Sequence, residues 1–353
     1  MKNIIFIIYY KYMKSKVIFV VGTRPELIKI APITNKIPST VLFTGQHFDA
    51  NMSDDFFELL NANELHNLNL NEKSVTSVLQ MASSIANELA KFSSQKILVM
   101  GDTNSTLSGA IAAKHVNKQL YYIESGMRTG DLMQIEEFNR ILVSHLSDIN
   151  FCNHINNKNN LIMENILSEK IKITGSTVYS SLKLAATETR KPKKYENYIL
   201  LTLHRPKNVD NINKLNSILR TIDKLQHKVL LPIHPRTKMK LGSVDFKNIQ
   251  LIDPQNYFSF IDLMKNSKFI ISDSGGVQEE AAILRKPLII PREYTERPEM
   301  LGKFNLLANN INDLYIESEK VINNSSNLCT SVLESDLLYG EEEPVDKIIE
   351  YII

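Results

Sequence analysis

The run VIFVVGTRPELIKI, Val17–Ile30, decides the fold. Val17–Val21 is apolar throughout, with no polar residue alternating in, so it predicts a strand buried on both faces. Gly22 and Thr23 end it, and Pro25 suits the first turn of a helix expected over Pro25–Asn35. The same rhythm of apolar run, polar turn and amphipathic segment returns along the chain. Strands are expected at Thr40–Thr44, Lys96–Met100, Leu120–Ile123, Asp148–Cys152 and Ile171–Thr174, and helices at Asp54–Asn61, Ser74–Phe92, Ser105–Val116 and Glu136–Leu146. The charged stretch ETRKPKKYEN, Glu188–Asn197, has no apolar period and reads as an exposed linker. Beyond it the rhythm restarts, with strands at Tyr198–Leu203, Lys228–Ile233, Ile249–Ile252, Phe269–Asp273 and Pro287–Ile290. Helices Asn211–Leu225, Ser259–Lys265 and Val277–Arg285 separate them. Two such halves predict an α/β protein built of two Rossmann-like domains facing a central cleft. The expected division is 1–176 and 177–340, with a terminal helix within 341–353 completing the first domain.

Composition narrows the function. At 353 residues the chain exceeds the size at which one core stops growing. Its 41 basic and 39 acidic residues leave a net charge of +2, which offers no electrostatic footprint for nucleic acid or an anionic membrane. Two cysteines, Cys152 and Cys329, make neither a disulfide framework nor a zinc quartet, so a reducing cytoplasmic setting is expected. The apolar Ile4–Tyr10 is followed by Lys11 and Lys14 instead of a small-residue cleavage site. It reads as a non-essential extension ahead of Met13 and is far too short to span a bilayer. No HExxH, Cys/His cluster, Walker A loop or G-x-G-x-x-G fingerprint is present, so neither metal nor NAD is expected.

In open parallel sheets ligands bind beyond the carboxyl ends of the strands, so the polar residues there are the ones to weigh. Arg24 and Lys29 sit near a helix N-terminus, where cations are unfavourable unless an anion binds; the plain alternative is a surface pairing with Glu26. Asp102 could cap the next helix, but Asn104 or Ser105 could do so equally well. Glu124 ends another strand, and Glu136 lies four residues before Arg140, a spacing that also suits a simple stabilising pair. Three carboxylates at one sheet edge would suit acid/base work at a sugar carbon. In the second half Ser274-Gly275-Gly276 opens a helix and forms a nest of N–H groups suited to a diphosphate, with Glu280 one turn in; a tight capped turn is the alternative. His204, His234 and Arg297 lie at or beyond further strand ends.

Several segments recur together in one family. They are Gly22-Thr23-Arg24-Pro25-Glu26, Thr44-Gly45-Gln46-His47, Gly101-Asp102-Thr103, Glu124–Asp131, Glu136–Arg140, Thr174-Gly175-Ser176-Thr177-Val178, Leu203-His204-Arg205, His234-Pro235, Asp273–Glu280 and Thr295–Glu299, in that order. With them the chain resembles the non-hydrolysing UDP-N-acetylglucosamine 2-epimerases. The resemblance implies a GT-B fold, a homodimer, and inversion at C2 of a UDP-2-acetamido sugar without cofactor or metal. It implies elimination of UDP to a glycal, followed by re-addition. By motif, Asp102, Glu124 and Glu136 carry over as acid/base carboxylates, joined by Lys29 and His234. Arg24, Lys29, Arg140, His204, Ser274, Gly275, Gly276, Glu280 and Arg297 carry over as substrate contacts. Ser125, Met127 and Ile135 replace the family's usual alanine, leucine and proline beside the carboxylates, leaving a 2,3-diacetamido or uronic-acid substrate as an alternative. The rival activities are a hydrolysing epimerase that releases free sugar and a GT-B glycosyltransferase.

Overall fold

The computed structural model describes residues 17–45, 60–70, 77–187, 195–233, 238–239, 241, 245–324, 326–335 and 343–353. His234, the expected helix over Asp54–Asn61 apart from its last two residues, the first dozen residues and most of the linker lie outside the described residues. The chain forms two compact units, Met1–Ser181 with Tyr339–Ile353, and Leu182–Leu338.

The first unit carries a parallel seven-stranded sheet. Its strands are β1 (Val17–Val21), β2 (Ser39–Phe43), β3 (Glu64–Asn67), β4 (Lys96–Met100), β5 (Gln119–Ile123), β6 (Ile149–Cys152) and β7 (Ile171–Ile173), in the order β3-β2-β1-β4-β5-β6-β7. Helices α1 (Arg24–Thr34), α2 (Val78–Leu89), α3 (Asn104–His115), α4 (Ile135–Leu146) and α5 (Ile155–Met163) follow in chain order, and α6 (Thr177–Thr187) begins in this unit and continues past its limit at Ser181. All five residues of β1 are buried because each face has its own cover. Val17, Phe19 and Val21 pack with Leu27, Ile30 and Ile33 of α1, while Ile18 and Val20 pack with Ile85 and Leu89 of α2 and Leu107 and Ala110 of α3. The edge strand β3 has no apolar run to announce it. Three of its four residues are exposed, and its backbone pairing with β2 is what makes it a strand.

The second unit carries a parallel six-stranded sheet ordered β10-β9-β8-β11-β12-β13. Its strands are β8 (Ile199–Thr202), β9 (Val229–Pro232), β10 (Ile249–Ile252), β11 (Ile270–Ser272), β12 (Leu288–Ile290) and β13 (Asn305–Leu307). Its helices are α7 (Pro206–Val209), α8 (Ile212–Asp223), α9 (Tyr257–Asn266), α10 (Gly275–Ile283), α11 (Ile311–Ile322) and α12 (Asn327–Glu334). Its core gathers Ile199, Leu201 and Ile271 of the sheet with Leu215, Ile218, Leu219 and Ile222 of α8 and Leu314 and Val321 of α11.

The last helix, α13 (Pro344–Ile352), belongs to the first unit. Its Val345, Ile348 and Ile352 are fully buried in the core that covers one face of β1. At about 1.5–3 kcal/mol for each such side chain, this burial fixes the helix far more firmly than its exposed Lys36–Asp346 ion pair. Among the described residues no helix is long and apolar enough to cross a membrane.

Candidate active site

In each sheet the strand order reverses at one point, between β1 and β4 in the first unit and between β8 and β11 in the second. Crevices for ligands open at such points, beyond the strand ends. The loops there carry Gly22–Arg24 and Gly101–Thr103 in one unit, and His204–Arg205 and Asp273–Gly276 in the other.

In the first unit two of the strand-end carboxylates each meet a cation. Arg140 donates from Nη1 to Asp102 Oδ2 at 2.6 Å, and Lys29 forms an ion pair with Glu124. Both carboxylates follow adjacent strands, β4 and β5. Glu124 is buried and holds φ 67°, a left-handed backbone that non-glycine residues seldom adopt. That strain fixes where its carboxylate emerges. Asp102 does not cap α3, and neither do Asn104 or Ser105. Thr103 does, its hydroxyl accepting from Thr106 N at 3.3 Å, which leaves the Asp102 carboxylate to Arg140.

Glu136 departs from the expected i,i+4 pairing with Arg140. It is exposed, and the buried Glu137 accepts from Arg140 Nε at 3.1 Å. Helix rotation decides this, because three residues back puts Glu137 on the inward face of α4 and leaves Glu136 on the outer one. Sequence reasoning passes over Glu137 because two adjacent glutamates look alike. The available signal is the periodicity of α4, whose buried positions include 137, 140, 143 and 144.

Glu26 turns inward as the capping group of α1. It accepts from Gly22 N at 2.6 Å, Thr23 N at 3.0 Å and Thr103 Oγ1 at 2.9 Å. Burial raises its pKa to about 7; these hydrogen bonds oppose the rise and the Asp102 charge adds to it. Thus one carboxylate ties the loop after β1 to the loop after β4. Arg24, at the first position of α1, is half-buried.

In the second unit Ser274 caps α10, its hydroxyl facing Val277 N at 3.5 Å. Gly275 and Gly276 then start the helix. A Cβ on Gly275 would run into Glu296 Oε1, whereas one on Gly276 would meet only Ser274 Oγ at 4.0 Å. Gly275 is therefore required by packing, and Gly276 leaves the helix N-terminus open. His204 is largely exposed and lies 3.0 Å from Asp273, which also accepts from the amides of His204 and Arg205 at 3.0 and 3.1 Å. Burial alone would raise Asp273; the His204 hydrogen bond and charge, with Asn208, hold it below the usual carboxylate range. Glu280 is half-buried beside Tyr257, whose hydroxyl is pushed well above its ordinary pKa by burial and then by the Glu280 charge.

Arg297 is turned inward. Its guanidinium is buried and pairs with Glu279 at 2.9 Å and Glu296 at 3.4 Å. Glu296 in turn collects Arg292 at 3.0 Å and Arg205 at 3.5 Å. Burial would raise Glu296, but Arg297, Arg292 and Arg205 hold it at about 2. Arg292, unmarked by the strand-end reading, joins this cluster through Glu296. Among the described residues no group of three His, Cys, Asp or Glu side chains is arranged to hold a metal.

This arrangement has close parallels. Residues 32–353 match the sequence profile of the family described as UDP-N-acetylglucosamine 2-epimerase. A UDP-N-acetylglucosamine 2-epimerase of Methanococcus maripaludis is 38% identical over 320 residues, covering 83% of this chain and 87% of that one. A UDP-2,3-diacetamido-2,3-dideoxy-D-glucuronate 2-epimerase of Pseudomonas aeruginosa is 33% identical over 355 residues, covering 96% and 99%. Among solved structures, the Neisseria meningitidis UDP-GlcNAc 2-epimerase bound to UDP-GlcNAc superposes with a TM-score of 0.85 at 30% identity, covering 96% of this chain and 99% of that one. The Methanocaldococcus jannaschii UDP-GlcNAc 2-epimerase in complex with UDP-GlcNAc and UDP superposes with a TM-score of 0.81 at 32% identity and the same coverage. With two parallel α/β sheets, the strand-end motifs and these likenesses in agreement, the chain belongs to the non-hydrolysing UDP-N-acetylglucosamine 2-epimerase family.

Proposed function

We propose that this enzyme inverts C2 of a UDP-2-acetamido sugar by eliminating UDP and adding it back. The observation that carries the reading is the pair of carboxylates after adjacent strands, Asp102 and Glu124, each held by its own cation. Elimination needs a base for the C2 proton and stabilisation for the departing diphosphate. The C2–H electron pair becomes the C1–C2 double bond of a glycal as the C1–O bond breaks, and UDP leaves with that bond's electrons. Re-addition runs the same steps backwards with the proton delivered to the opposite face of C2. We assign the proton transfers to Asp102, Glu124 and Glu136 and the electrostatic support near the sugar to Lys29. His234 is kept as a catalytic candidate on the resemblance alone.

The diphosphate end is assigned to the second unit. The N-terminus of α10 at Ser274, Gly275 and Gly276, open beside Gly276, supports this, since N–H groups at a helix start and the helix dipole favour an anion there. His204, Glu280 and Arg24 complete the substrate contacts. Arg140 and Arg297 are assigned positioning roles, because both are buried against carboxylates of the chain itself. The enzyme is proposed to work as a homodimer in a reducing cytoplasm. Light scattering on the purified protein tests the dimer.

A second sugar is favoured by one observation. The Pseudomonas aeruginosa relative named for a diacetamido-glucuronate matches over nearly the whole chain. Of the three departures beside the carboxylates, Ser125 and Met127 are buried, with Ser125 donating to Asn150 Oδ1 at 2.7 Å, so only Ile135 is exposed to bear on the substrate. Incubation with UDP-GlcNAc and with the UDP-diacetamido sugar in deuterated water, followed by NMR, decides both questions. Deuterium at C2 of two interconverting UDP-sugars is the expected result. Release of free sugar and UDP identifies a hydrolase, and no turnover of either sugar overturns the assignment.

A further inference from the structure

Glu137 has no role in the reaction as drawn above, yet its carboxylate is only 1% exposed and engaged at both oxygens. Oε1 accepts from the amides of Thr129 and Gly130, each at 2.9 Å, and Oε2 from Arg140 Nε at 3.1 Å. Arg140 then reaches Asp102 through Nη1 at 2.6 Å. One position before Arg140, Asn139 donates from Nδ2 to the carbonyl of Asp102 at 2.9 Å and to Asn104 Oδ1 at 3.2 Å. A single inward face of α4 therefore grips the carboxylate and the backbone of Asp102 and, through Glu137, the loop that follows Glu124.

A buried Arg–carboxylate cluster is on average no more stabilising than apolar residues of the same volume, so the two-edged geometry is better read as placement than as stability. An arginine side chain has several rotatable bonds, and one bond to Asp102 would leave the guanidinium plane free to swing. The second anchor, on the Nε edge, removes that freedom and aims the Nη1 edge at Asp102.

We propose that Glu137 is a positioning residue for epimerisation, acting through Arg140 on Asp102 and through the amides of Thr129 and Gly130 on the loop after Glu124. The proposal rests on the epimerase reading above. Glu137→Gln is the selective probe. Its carbonyl still accepts from the two loop amides, but its NH₂ faces Arg140 Nε–H, donor against donor. Arg140→Lys is the partner probe, because one ammonium cannot hold both carboxylates in the planar two-edged geometry.

Turnover of UDP-GlcNAc, or of the UDP-diacetamido sugar where only that is used, is measured per mole of UDP-binding sites counted by calorimetry. Each variant is expected to lose about tenfold to a hundredfold in kcat, with KM within about threefold of wild type. The double variant is expected to be no worse than the worse single one, because both act through one chain of contacts. The proposal is overturned if Glu137→Gln keeps kcat within about twofold, if the two losses multiply, or if activity falls only in step with the number of UDP-binding sites. A wild-type enzyme inactive on both sugars removes the epimerase reading and this proposal with it; an active wild type with an unaltered Glu137→Gln removes this proposal alone.

Discussion

Glu124 and Asp102 are cation-paired carboxylates that stand beyond the carboxyl ends of adjacent strands. Replacing either by its amide keeps the shape and removes the proton acceptor. Glu124→Gln and Asp102→Asn are each expected to lower kcat by about 10²–10⁴-fold, with UDP affinity by calorimetry unchanged. The two glycines of α10 separate packing from binding in the same way. Gly275→Ala drives a methyl into Glu296 and is expected to lower the thermal midpoint, whereas Gly276→Ala is expected to melt as wild type and bind UDP about tenfold more weakly. A Gly276→Ala protein that binds UDP normally would contradict the diphosphate assignment. At this scale the sequence reveals which residue types stand at the strand ends, because a strand-end Asp or Glu beside glycine is conspicuous. It conceals their pairing. Arg140 has Glu136 and Glu137 as neighbours in sequence, and only the rotation of α4 selects between them. Arg297 likewise reads as a phosphate ligand, and its pairing with two buried glutamates is not legible in the sequence.

Helix α1 shows how an element's end can carry a pH dependence. The folded pKa of Glu26, about 7, lies above its unfolded value of 4.5, and burial is the main cause. A raised acid binds its proton more tightly when folded, so its contribution to stability is complete below pH 4.5 and lost as pH rises through 7. The change is worth about 3 kcal/mol. Glutamine can satisfy the same partners, accepting from the amides of Gly22 and Thr23 and donating to Thr103 Oγ1. Glu26→Gln is therefore expected to narrow the difference in thermal midpoint between pH 5 and pH 8, mainly by raising the value at pH 8. An unaltered difference would mean that Glu26 is ionised at both pH values. Strands with unbroken apolar runs, such as β1 and β4, are legible in sequence to within a residue because both faces are covered. The polar edge strand β3 and the short β13 are not, since backbone pairing with β2 and β12 defines them and their side chains carry no period.

For the whole molecule, the two-sheet architecture follows from the repeated rhythm of strand and helix, and both clusters of polar strand-end residues fall where the strand order turns. The terminal helix expected to complete the first domain lies in the first unit, although its amphipathic pattern alone would suit either core. Ile348→Ala is expected to cost about 2–5 kcal/mol, and hydrogen exchange should localise the loosening to the first unit, β1 and α1 included, with the second unit unaltered. Uniform loosening of both units would mean that they unfold as one. The placement of α13 also bears on biosynthesis. Ribosomes deliver polypeptide in order, and amino-terminal domains generally fold first. Here every residue of the second unit is translated before Val345, Ile348 and Ile352 exist to close the older half. The nascent amino-terminal sheet must wait with one flank covered only in part, by α1, while its younger neighbour matures, and chaperone dependence during translation is where that wait would be felt.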